Sequence, residues 1–211
     1  MKRAPAALLS SLLLLAGCGA GLHSNLPIAQ VYVLRPPAQP PAAAASPAGS
    51  VQVSLPLAAA GLATDNIVVL RSGQRLDYYS AARWAGTAPA MLQTLTIDAV
   101  RAANRFSMVE SDGGPFPSDY ILSLELRHFE AEYSDAGPPT VHVALVCTLG
   151  KRGNHELMVS FTAESRVRAE ADRMQAVVAA FGQATGEVLS QLAANAAPPA
   201  LSEIREKSHR G

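Results

Sequence analysis

Val141, Val143, Leu145, Cys147 and Leu149 share one parity of an unbroken run, and that alternation constrains the fold more than any other feature of the 211-residue chain. Successive strand side chains point to opposite faces, so this run is a strand with one buried face, and a one-sided strand needs a second layer to cover it. The pattern recurs on both sides in the chain. Tyr120, Leu122, Leu124 and Leu126 oppose Ser123, Glu125 and Arg127, while Leu157, Val159, Phe161 and Ala163 point inward against Ser160, Thr162, Glu164 and Arg166. Loops at Ser134 to Thr140 and Gly150 to His155 separate the three strands as a meander.

The covering layer comes from two amphipathic patterns. Leu92, Leu95, Ala99, Ala102 and Phe106 recur at helical spacing behind Pro89, with Thr87 as a candidate cap, which predicts a helix from about Ala88 to Asn104. A second helix, Asp172 to Ala194, carries Met174, Val177, Val178, Phe181, Val188, Leu189 and Leu192 on a broad apolar stripe. Earlier strands are read at Gln30 to Leu34, at Val51, Val53 and Leu55, and as a hairpin of Ile67–Leu70 with Gln74–Tyr79. The expected fold class is α+β, a two-layer sandwich of a mixed, largely antiparallel sheet packed on two helices. Its other sheet face is left to meet water or a partner subunit. Apolar parity switches after Leu126, so that Phe129, Ala131 and Tyr133 oppose the earlier leucines. Either a bulge restores the register, or the strand outruns its core and packs elsewhere.

The N-terminus carries an address. Lys2 and Arg3 precede an apolar stretch from Ala6 to Leu15, too short for the roughly 20 residues of a membrane-spanning helix, and Leu15-Ala16-Gly17-Cys18 resembles a bacterial lipobox. The resemblance implies a signal peptide over 1–17 and a mature chain starting at Cys18, acylated on its sulfur and its freed amino group. Each buried methylene contributes about 0.8 kcal/mol, so two or three chains hold where one does not. Gly19 stands where an aspartate would retain such a protein in the inner membrane, which favours the outer membrane, facing the periplasm. Residues 18–29 read as the tether, 30–197 as the domain with a Pro/Ala-rich loop at 36–47, and 198–211 as a charged tail.

Loss of the signal peptide removes Lys2 and Arg3, leaving 15 basic against 17 acidic residues, a balance of −2 with no clustered basic surface for nucleic acid. Cys147 loses its only possible disulfide partner once Cys18 is lipidated, and its strand parity predicts burial. No phosphate loop, nucleophile elbow or paired-carboxylate spacing is present, so neither catalysis nor a cofactor is expected beyond the acyl groups on Cys18. His128 and His142 approach across adjacent strands, but two imidazoles without a third ligand at evident spacing make a weak metal case. Glu130 and Glu132 read as a solvated edge.

Arg75-Leu76-Asp77-Tyr78-Tyr79-Ser80-Ala81-Ala82-Arg83-Trp84-Ala85, followed by Ala88-Pro89-Ala90-Met91-Leu92, resembles the central motif of the ABC-type transport auxiliary lipoproteins, the PqiC-like family. The Val31–Leu34 strand and the lipobox match in order. The resemblance implies a non-catalytic docking or stabilising subunit that accompanies an MCE-domain protein in lipid transport between membranes, with a homo-oligomer possible. A carrier or chaperone holding lipid in its own cavity is the alternative. Within the motif, Arg83, Trp84 and Tyr78 are the candidate partner-binding residues, since Trp, Tyr and Arg dominate binding hot spots. Trp84 equally suits the core at a strand-to-helix junction. Tyr78 and Tyr79 point to opposite faces, so at most one joins the core.

Overall fold

A computed structural model of the protein describes residues 29–37, 47–72, 75–134 and 137–197. Among these residues the chain forms β1 (Gln30–Tyr32), β2 (Ala48–Val53), β3 (Leu57–Ala58), β4 (Asn66–Arg71), β5 (Arg75–Trp84), α1 (Ala88–Ala102), β6 (Phe106–Ser111), β7 (Tyr120–Glu132), β8 (Thr140–Lys151), β9 (Leu157–Arg168) and α2 (Met174–Asn195). It is an α+β sandwich, with one mixed sheet backed by two helices. Cys18, the tether to residue 28, the loop interior at 38–46 and the tail from 198 lie outside the described residues.

β7 organises the sheet. Along one edge it pairs antiparallel with β8 from Tyr120↔Lys151 to Glu132↔Thr140, and β9 continues beyond β8. Its other edge is shared in succession by β2 at Tyr120–Leu122, β3 at Glu125–Leu126 and β4 at Glu130–Glu132, all parallel. β6 joins β2, and β5 and then β1 extend from β4. The long antiparallel trio is the meander that alternation predicts, whereas β3 and β6 were not expected. Phe106 belongs to β6 and not to the helix. α1 stops at Ala102, and Asn104 takes a left-handed φ of +49°, a conformation Asn tolerates better than most residues.

The layers meet where the patterns place them. Val141, Val143, Leu145, Cys147 and Leu149 all have 0% exposure and face Ala180, Phe181, Ala184 and Val188 of α2 in one core. Each fully buried Leu or Val stabilises the fold by about 1.5–3 kcal/mol relative to exposure. Pro89 sits in the first turn of α1, where its missing N–H costs nothing, and Thr87 occupies the cap position without a side-chain cap bond. On α2, Gly182 and Gly186 let the segment after β1 cross the helix. A Cβ at Gly182 would lie 2.9 Å from the Arg35 carbonyl oxygen.

Two irregularities decide which side chains face which way. The register between β7 and β8 shifts between Leu126 and His128, a bulge that returns Phe129 (1% exposed) and Ala131 (0%) to the core and turns His128, Glu130 and Glu132 to the opposite face. A second shift between Leu149 and Gly150 makes Met158 the extra residue on β9. Leu157 therefore leaves the inward parity and stands 62% exposed, correcting its expected place in the core.

Candidate functional site

The motif strand β5 is bent by its own irregularity. Asn66 pairs with Arg83 but Val68 pairs with Tyr78, so extra residues on β5 fall between the two pairs. Both Asn66 and Val68 lie on one face of β4, which puts Arg83 and Tyr78 together on the face away from the helices. Val31 of the edge strand joins them as the parallel partner of Arg83, and it is 52% exposed. Tyr78 is 46% exposed, and Arg83 pairs loosely with Asp65 at 3.6 Å, an ion pair open enough to solvent to be worth little.

Trp84 takes the other side. Its ring is 1% exposed and lies 5.2 Å from Phe181 edge-on and 5.8 Å from Phe129, centroid to centroid. Its backbone N–H donates to the Asp65 carbonyl at 2.7 Å, and the next residue, Ala85, donates to Tyr32 at 2.8 Å. This stitches the junction before α1. The expectation that Trp84 binds a partner is therefore corrected: strand parity and the approach of α2 make it a core residue. Tyr79 also turns inward, and its hydroxyl meets that of Tyr133 at 2.8 Å, which donates to Asp172 at 2.5 Å just before α2. Burial raises the pKa of both phenols, so they remain neutral donors.

The face that carries Arg83 continues through Val68 to Glu130, its parallel partner on β7, and there meets a cluster that spacing alone did not disclose. The rings of His128 and His142 stack with centroids 3.9 Å apart and planes inclined by 16°. His128 Nδ1 lies 2.6 Å from Glu130 Oε1, and His142 Nδ1 lies 2.9 Å from Glu132 Oε1 and 3.8 Å from Glu130 Oε1. His142 Nε2 reaches Glu164 Oε1 at 2.9 Å, and Arg166 donates to Glu132 Oε2 at 2.8 Å. The hydrogen bond from His142 holds the Glu164 carboxyl below its ordinary range. Glu130 is only 5% exposed and His142 1%, so the reading of Glu130 as part of a solvated edge is corrected. The legible signal was His-x-Glu-x-Glu on one strand face, which becomes a cluster once register sets His142 opposite Glu130.

The sequence matches the family of the ABC-type transport auxiliary lipoprotein component across residues 32–193. The chain belongs to this family. Among solved structures, the auxiliary lipoprotein is similar to the protein XCC0632 from Xanthomonas campestris, at 25% identity and a TM-score of 0.68, covering 86% of this chain and 99% of that one. A second solved structure, of an uncharacterized protein, has 14% identity and a TM-score of 0.61 over 79% of this chain and 97% of that one, and shows the fold alone. No curated protein matches the sequence. The family match begins at Tyr32, in the edge strand, and ends at Ala193, near the end of α2, so it spans the whole sandwich.

Other charged groups of the auxiliary lipoprotein are engaged in holding loops. Asp119 accepts from the Ser50 backbone N–H at 2.7 Å and its hydroxyl at 2.8 Å, which keeps the carboxyl below its ordinary range. Arg152 donates to the Ser118 carbonyl at 3.1 Å and to Gln52. Cys147 has 0% exposure, and burial pushes its thiol up to about 12, which makes it an inert core residue.

Proposed function

We propose that this protein is a non-catalytic subunit of an ABC- and MCE-type system that moves lipid between membranes, held by acylated Cys18 in the outer membrane and facing the periplasm as a docking or stabilising component. The observation that carries the reading is the family match over the entire sandwich, standing behind a lipobox. The geometry supports it. Cys18 and Ala29 are eleven residues apart in sequence, so the tether reaches at most about 40 Å. The described domain starts beside β1, the edge strand that carries Val31 next to Arg83. Arg83, Tyr78 and Val31 share one sheet face and are each about half exposed, which suits them to contact a partner of the transport assembly.

Filling of the layers weighs against the alternative, a lipid carrier: the space between sheet and helices holds Trp84, Phe129 and Phe181 with centroids 5.0–5.8 Å apart. The feature that favours the carrier is an apolar groove where the segment after β1 meets the helices, lined by Leu34, Pro36, Pro37, Leu95, Ala99 and Leu189.

One experiment separates them. The full-length protein is captured from detergent-solubilised envelopes, and both the co-purifying proteins and the organic-extractable lipids are identified by mass spectrometry. The adaptor reading expects an MCE-domain protein that is lost with the double variant Arg83→Ala, Tyr78→Ala at unchanged thermal stability. Stoichiometric lipid released from the isolated protein, with no MCE protein bound, would overturn it in favour of the carrier.

A further inference from the structure

We propose that His128, Glu130, Glu132 and His142 form a binding site for one divalent transition-metal ion of the zinc type, on the sheet face away from the helices. The inference is independent of the transport reading.

An imidazole that donates through Nε2 to Glu164 presents a lone pair at Nδ1, and that atom faces the carboxylate oxygen of Glu132 at 2.9 Å. Two acceptors at that separation repel unless something positive lies between them. His142 has a carboxylate at each ring nitrogen and as a neutral imidazole can donate to only one of them, and the ring of His128, stacked 3.9 Å away, brings a second nitrogen against Glu130. A single cation among the four donor atoms satisfies both imidazoles and both carboxylates at once.

Charge balance points the same way. With neutral imidazoles, the carboxylates of Glu130, Glu132 and Glu164 are opposed by one guanidinium in contact with them, that of Arg166, which leaves −2. One divalent ion brings the group to neutrality. Glu130 and His142 are both more than nine-tenths buried, so the charge on Glu130 is costly without compensation, while Glu132 and Glu164 keep 26% and 48% side-chain exposure.

The cluster also has the outer shell of a metal site. Glu130 Oε2 accepts from the Phe129 backbone N–H, Glu132 Oε2 accepts from Arg166, and His142 Nε2 donates to Glu164. Each of these partners holds the far side of a donor group and aims its near side inward, as supporting residues do around zinc. The four donor atoms lie within 4.8 Å of one another. A tetrahedral zinc ion at about 2.0–2.1 Å needs donors roughly 3.3 Å apart, a contraction that side-chain rotation supplies. Two imidazoles with two carboxylates suit zinc and its transition-metal neighbours, whereas magnesium and calcium take oxygen ligands. The His128 side chain is 43% exposed, which gives an ion its way in.

Zinc is titrated calorimetrically into the tag-free, chelator-stripped full-length protein in non-ionic detergent, with magnesium as the comparison. One zinc per chain is expected, with a raised unfolding temperature. His128→Ala and Glu132→Gln should each weaken binding at least tenfold, and Glu164→Ala about tenfold through loss of the outer hydrogen bond. His155→Ala, in the exposed turn before β9, should bind as the parent does. His142→Ala risks the fold, so the partly exposed His128 and Glu132 carry the decision. Absence of zinc uptake, equal binding of magnesium, or parental affinity in both His128→Ala and Glu132→Gln would overturn the site.

Discussion

Replacing Trp84 with alanine separates a core residue from an interface residue by magnitude. The ring is 1% exposed and packs on Phe129 and Phe181 at 5.8 and 5.2 Å, so its removal opens a cavity where β5, β7 and α2 meet. Aromatic-to-alanine changes in cores cost about 3–5 kcal/mol. A counter-term reduces this: the indole Nε1 is buried with no hydrogen-bond acceptor among the described residues, and an unsatisfied buried donor costs about 1–3 kcal/mol that the variant no longer bears. The net loss should be about 2 kcal/mol, which at roughly 2–4 °C per kcal/mol for a domain of this size lowers the unfolding temperature by about 4–8 °C. Trp84→Phe keeps an aromatic face and drops the orphan N–H, so it should lose less than half as much. Trp84 is the sole tryptophan, so the melts are followed by far-ultraviolet circular dichroism. A Trp84→Ala protein melting within about 1 °C of the parent, with partner capture abolished, would refute the core assignment and restore the interface reading.

Further outcomes are expected elsewhere in the molecule. Cys147 should resist maleimide in the native state and react at once in guanidinium, because burial raises its pKa to about 12; rapid native labelling would contradict the packing of β8. Gly182→Ala should destabilise by about 1–3 kcal/mol through collision with the Arg35 carbonyl, outweighing the roughly 1 kcal/mol that alanine gains in a helix, and a stabilised variant in chemical denaturation would show that the segment after β1 does not cross there. Asp119 has a folded pKa depressed below its ordinary 3.8 by the Ser50 hydrogen bonds, so its stabilisation is present above that value and is lost as pH falls through the lower, folded one. Asp119→Asn should therefore be less stable than the parent at neutral pH, with the gap narrowing as the pH falls below 3.8, and a gap that stays constant from neutral pH into strong acid would refute the linkage.

Much of this molecule was legible because strand parity is a local property. The alternation in 141–149 predicted a face with 0% exposure, and the parity switch after Leu126 offered the bulge that the β7–β8 register contains. Tyr78 and Tyr79 separated to opposite sides as alternation requires, one 46% exposed and the other joined to Tyr133. Where the reading failed, a non-local term had intervened. Leu157 kept its apolar character but lost its parity to a register shift set by β8. β3, two residues long, carries no period to read and exists only because β7 offers it an edge at Glu125 and Leu126. Glu130 looked solvated because a strand pattern shows whether a residue alternates but not what lies across from it.

The order of residues alone determined the class of the fold and the membership of the family, since those depend on period, motif and spacing along one chain. Tertiary structure decided which of Arg83 and Trp84 can meet a partner, and it brought His128, Glu130, Glu132 and His142 to one place. The reason is physical: burial and register are relations between strands distant in sequence, and no residue carries in its own identity the side chain that hydrogen-bonded pairing will set opposite it.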